Sequence, residues 1–153
     1  MSRRQKHGKV AVCKPQTMVC GDKALSASPM NFSQLAALAA ATVAATQRQL
    51  PREIKPLALA LPVSYEPAPG AALLADGCES DLLGLFVGPA HAEAQSPDFA
   101  DVPPQILLFL ENLWNYTEHD VEFFREEVRL TYLHELGHYL GWDEDDLARR
   151  GLD

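Results

Sequence analysis

Apolar positions first fall into a repeating pattern at Asn31. Phe32, Leu35, Ala39 and Val43 recur every three or four residues, and Leu50 extends the same face beyond the more polar Thr46. That spacing predicts a helix, capped by Asn31 or Ser33 and stopped by Pro51, with an apolar stripe that needs a sheet to cover it. Three shorter apolar runs follow, at 57–65 ("LALALPVSY"), 82–88 ("LLGLFVG") and 105–111 ("QILLFLE"). Their lengths suit strands. Pro62 makes the first an edge strand or one that ends early. Gly84 inside the second signals a bulge or a close backbone approach. The connections at 66–81 and 89–104 are long for a small domain, which suggests lids or substrate walls.

A second helical pattern runs from "TEHD" through "VEFFREEVRLTYLHELGHYL". Thr117 and Asp120 have capping-box spacing, and Gly141 falls where a left-handed residue closes a helix. The order of helix, strands, helix and short C-terminal turn or helix argues for an α+β domain in two layers. At about 100° per residue, Leu133, Leu136, Gly137 and Leu140 share one face, continued by Phe123 and Leu130. His134 then lies about 100° and His138 about 140° from Leu133, one turn apart and off that stripe, with Thr131 on the same side.

Two imidazoles at i and i+4 can reach one ion about 2.0–2.1 Å from each nitrogen. Glu135 stands beside them in H-E-x-x-H, near enough to take a proton from an activated water without being a ligand. A catalytic zinc ion takes three protein ligands and a water. Fifteen residues follow His138, so a ligand from a distant downstream helix is not expected. Gly141 lets the chain turn back, and Glu144 occupies the last place of H-E-x-x-H-x-x-G-x-x-E, a metzincin-like spacing with a carboxylate. Asp143 and Asp145 are the alternatives. Asp146 is expected to cap the segment that follows.

Charge narrows the partners. The 153-residue chain has a net charge of −8, but residues 1–23 hold six of the 13 Lys and Arg and one of the 21 acids. The remainder carries 7 basic and 20 acidic side chains. So acidic a domain is not expected to bind nucleic acid through a general electrostatic footprint. Its acidic rim would favour peptides with basic residues. Residues 1–29 lack apolar periodicity and read as a basic, disordered extension, with the functional domain at 30–153. Cys13, Cys20 and Cys78 are odd in number and show no C-x-x-C pair, which points to reduced thiols and a cytoplasmic location. No run reaches the ~18 apolar residues of a membrane span.

With "HELGHYLGWDE" near the C-terminus, "LLGLFVG", "QILLFLENL" and "EEVRLTYLHELGH", residues 31–148 resemble the small bacterial zincin-like metallopeptidases, the minimal zincins. The resemblance implies a minimal zincin fold, in which a small mixed sheet packs on the N-terminal helix and the H-E-x-x-H helix. It further implies one Zn²⁺ on His134, His138 and Glu144, Glu135 as general base, and a peptide or protein substrate. Glu144 is one methylene longer than the Asp often found there, which keeps Asp143 and Asp145 in competition. Tyr65, His91, Tyr116 and His119 are candidates to stabilise an oxyanion. The spacing is also similar to H-G-x-x-H-x-x-G-Y-D-H of bacterial endoribonucleases of ribosomal-RNA maturation. Glu135 in place of their small residue, and the acidic domain, argue against that reading. A non-catalytic zinc-binding regulatory module is the third alternative.

Overall fold

The computed structural model describes residues 9–11, 29–94, 96–99 and 103–150. Four strands form one sheet in the order β1-β3-β4-β2: β1 (Lys9–Ala11), β2 (Val63–Glu66), β3 (Gly84–Val87) and β4 (Gln105–Phe109). β3 runs antiparallel to both neighbours, whereas β2 and β4 are parallel. The helices are α1 (Phe32–Gln49), α2 (Lys55–Ala60), α3 (Ala71–Ala75), α4 (Leu110–Tyr116), α5 (Val121–Tyr139) and α6 (Glu144–Arg149). This is the α+β, mixed-sheet architecture that the sequence implies. Among the described residues no helix is long and apolar enough to cross a membrane.

α1 begins as expected. Asn31 accepts from the Gln34 N–H at 2.9 Å, and the Gln34 side chain accepts from the Asn31 N–H at 3.0 Å, a reciprocal capping box. Leu35, Ala39 and Val43 are buried, while Phe32 is exposed. Thr46 joins the buried stripe because its hydroxyl donates to the Thr42 carbonyl and so needs no water. The stripe packs mainly against α5 and α4, and it shares one core with Phe86, Ile106 and Leu108 of the sheet.

The run 57–65 is not one strand. Leu57–Ala60 lie in α2, and β2 starts only after Pro62. Pro56 sits in the first turn of α2, where its missing N–H costs nothing, and Leu and Ala are good helix formers. Pro62 then breaks the helix, and its carbonyl accepts the Ile106 N–H at 2.9 Å. β2 is an edge strand, the position the sequence expects beside Pro62. Similarly, 105–111 is strand only to Phe109, and α4 follows directly. Thr117 ends α4, its hydroxyl donating to the Leu113 carbonyl at 2.9 Å. Asp120 alone caps α5, accepting from the Phe123 N–H at 2.7 Å.

Alternation divides the sheet between two cores. Phe86, Ile106 and Leu108 face the helices, whereas Leu85, Phe109 and Leu107 cluster with Leu82, Leu73 and Cys78 on the other side. The 66–81 connection, through α3, therefore closes the second face. Cys78 is a free thiol, and Cys13 and Cys20 lie outside the described residues. The expectation of disorder over 1–29 likewise falls mostly outside them, except that Lys9–Ala11 pair with β3.

α5 crosses β3 at Gly84. A Cβ added there would lie 2.5 Å from Thr131 Cγ2 and 3.3 Å from the Leu107 carbonyl oxygen. Gly84 is thus the close backbone approach that its place in the run suggested. Gly84→Ala is expected to destabilise the fold by about 1–3 kcal/mol through overpacking. Adding Thr131→Ala should recover at least about 0.5 kcal/mol of that loss in urea unfolding. Strictly additive losses would mean that this approach does not limit the packing.

Candidate metal centre

The close approach at Gly84 sets the geometry of the site. Glu135 lies one turn beyond Thr131, about 6 Å along the helix, and Phe86 lies two residues beyond Gly84, about 6.6 Å along the strand. The two steps match, and the Phe86 N–H donates to Glu135 Oε2 at 2.8 Å. Glu135 is fully buried. Burial first, and the nearby Glu144 charge in addition, push its carboxyl well above the usual carboxylate range, while the Phe86 N–H pulls it down.

The histidines are buried too, not on an exposed face. The buried arc of α5 runs through Phe124, Val128, Tyr132, Leu136 and Tyr139, with His134 and His138 along one margin. Phe123 is exposed, and Leu130, Leu133 and Leu140 are only half-buried. The expected stripe is right at Leu136 and Gly137 but elsewhere shifted, because aromatic and β-branched residues supply most of the packing on this helix. The two imidazoles stand edge to face, with ring centroids 4.8 Å apart.

The chain reverses after α5 through a Schellman turn. Gly141 has φ +84°, the Gly141 N–H bonds to the His138 carbonyl at 3.0 Å, and the Trp142 N–H bonds to the Gly137 carbonyl at 2.9 Å. Gly137 leaves room for what comes back: a Cβ there would run into the Leu147 side chain and lie 3.1 Å from Trp142 Cε3. Asp143 caps α6, accepting from the Asp146 N–H at 2.8 Å, and Asp146 returns a carboxylate to the Asp143 N–H at 3.4 Å. Asp146 also pairs with Arg149. Two acids of the run are thereby engaged in starting the helix.

Glu144, the first residue of α6, faces the histidines. Its carboxylate oxygens lie 3.5 Å from His138 Nε2 and 3.9 Å from His134 Nε2. The three ligand atoms all lie within 4.8 Å of one another, and among the described residues Asp143 and Asp145 are not part of this group. Ligands about 2.0–2.2 Å from a tetrahedral ion lie about 3.3–3.6 Å apart, close to the two separations between Glu144 and the histidines. His138 Nε2 and Glu135 Oε1 are buried without a hydrogen-bond partner, a costly arrangement in a folded chain unless something else engages them. Burial, then the neighbouring His134, lowers the His138 pKa and favours the neutral imidazole that metal coordination requires. Two imidazoles and a carboxylate are a donor set suited to a divalent ion such as zinc.

Of the four candidates for an oxyanion partner, His91 contacts Tyr139, the residue after His138. Its Nδ1 lies 3.1 Å from Tyr139 Oη, and its N–H donates to the Tyr139 carbonyl at 2.7 Å. Tyr116 packs on Phe123, His119 stacks on Trp114 and bonds Asn115, and the Tyr65 hydroxyl has its pKa raised by burial. Sequence reasoning missed the Phe86 amide and Tyr139. No side-chain pattern reveals which backbone N–H will meet a given carboxylate.

No curated protein matches the chain. A family model described as zincin-like metallopeptidase matches residues 60–152, from the end of α2 through β2, β3 and β4, the H-E-x-x-H helix and α6. That span holds both histidines, Glu135, Glu144 and the strand whose amide meets Glu135, and the chain belongs to the zincin-like metallopeptidase family.

Proposed function

We propose that the protein hydrolyses peptide bonds with a zinc ion held by His134, His138 and Glu144, and with Glu135 as general base. The observation that carries this reading is the pairing of Glu135 with the Phe86 amide beside the three-ligand group. Zinc would act as a Lewis acid and bring its water's pKa toward neutral. Glu135 would take the proton of the attacking water and pass it to the leaving amine. Phe86 supports that role by holding Oε2, so that the carboxyl has one orientation and Oε1 stays free to carry the proton. A dry setting favours the protonated carboxyl between uptake and release. The Schellman turn and the Asp143 cap support Glu144 as third ligand, because they fix the start of α6 against α5. The family favours a peptide or protein substrate over RNA.

Two outcomes follow. Glu135→Gln keeps an acceptor for the Phe86 N–H and should retain stoichiometric zinc while losing at least about 100-fold in peptide hydrolysis. Normal turnover by that variant would overturn the mechanism. Glu144→Ala should lose stoichiometric zinc by metal analysis and lose the rise in Tm that added zinc gives the parent chain. Asp143→Asn, which retains a capping side chain, should bind zinc as the parent does. The opposite pattern would make Asp143 the ligand.

A further inference from the structure

α6 carries the candidate third ligand, yet its six residues are too few to hold a helix by themselves. Its place on α5 must come from anchors. Asp143 and Asp146 cap its start, and Leu147 is buried over Gly137. A further anchor lies at its far end. Arg150, the C-cap of α6, places its guanidinium 3.9 Å from the centre of the Trp142 ring. Trp142 precedes the N-cap, and its N–H bonds to the Gly137 carbonyl at 2.9 Å. A Cβ on Gly137 would lie 3.1 Å from the Cε3 of its indole. The ring is thus fixed to α5 beside the residue that precedes His138, and the end of α6 is folded back upon it. Inside this closed turn stands Glu144, with a side chain 63% exposed.

We infer that the Arg150–Trp142 stack positions the third ligand, keeping α6 docked so that the Glu144 carboxylate faces both histidines before a metal arrives. This rests on the proposed ligand set and not on peptide hydrolysis. An exposed glutamate gets little orientation from its own packing, so the docking of α6 must supply it. A metal binds only the docked fraction, and its apparent affinity falls with that fraction. A guanidinium over an indole changes such an equilibrium about three- to fivefold. The sign separates this role from plain electrostatics. Arg150 puts a positive charge on the helix that carries Glu144, so by charge alone its removal would tighten the binding of a cation. Loss of the stack weakens it instead. Arg150 and Trp142 are positioning residues and act through Glu144.

The test measures the zinc Kd of the full chain by competition with a chelating dye. The forms compared are the parent, Arg150→Ala, Glu144→Ala and the double variant, with zinc titrated far enough to saturate the two histidines that remain without Glu144. Arg150→Ala is expected to raise the Kd at least about threefold, and by at least about threefold more with Glu144 present than without it. Failure of either overturns the inference. On a Trp142→Leu chain, which has no ring to stack on, Arg150→Ala should change the Kd by less than about threefold. A larger rise there overturns the stack as the cause. Thermal unfolding in EDTA checks that each variant is folded, and Arg150→Gln, which also removes the cation, replaces an alanine chain that is not. If Glu144→Ala alone leaves the zinc Kd unchanged, the ligand set falls and the inference with it. If Glu144→Ala weakens zinc binding but Arg150→Ala does not, only the inference falls.

Discussion

A carboxylate removed wholly from water must be held by something, and here it is held by the Phe86 backbone amide. Leaving a group of this kind without its partner costs more than most single contacts in a fold. The hydrogen bond therefore constrains everything near it. α5 has to lie close enough to β3 for a side chain to reach a strand amide, which Gly84 permits by having no Cβ where Thr131 passes. The amide must also face away from β4, which the antiparallel register secures.

The same placement accounts for the burial of the two histidines. A helix laid tightly on a sheet, with a short helix folded back over its end, has little exposed surface left in its last two turns. The turn at Gly141 and the small volume of Gly137 let α6 close over that end, with Leu147 fully buried as the contact. Glu144 stays largely exposed at the rim, while its carboxylate oxygens face the imidazoles inside. The centre is thus built from one helix, one strand amide and one residue from a capped turn.

Much of the site was legible along the chain because its parts are local. His134, Glu135 and His138 share one helix, and the turn that carries Glu144 needs only Gly141 and an acid that can cap. Which acid caps and which faces inward was less legible, since Asp143, Glu144, Asp145 and Asp146 are chemically alike. Their roles follow from one-residue differences in position around the start of α6. The first apolar run misled for a related reason. Leucine and alanine suit either a buried strand or a helix, and Pro56 and Pro62 together decided for a helix that stops before β2.

The sequence by itself determined the elements whose signals are carried by neighbours: the start of α1 at Asn31 or Ser33, its amphipathic period, the left-handed turn at Gly141 and the spacing of the candidate metal ligands. Tertiary structure alone decided what depends on pairing between distant segments. It decided that the true core arc of α5 runs through Phe124, Val128 and Tyr132, that the Phe86 amide meets Glu135, and that Lys9–Ala11 take the edge of β3. The reason is physical. Caps and helical faces are fixed within a turn or two of chain, whereas strand partners and buried acceptors depend on which backbone groups remain unpaired once the sheet has formed.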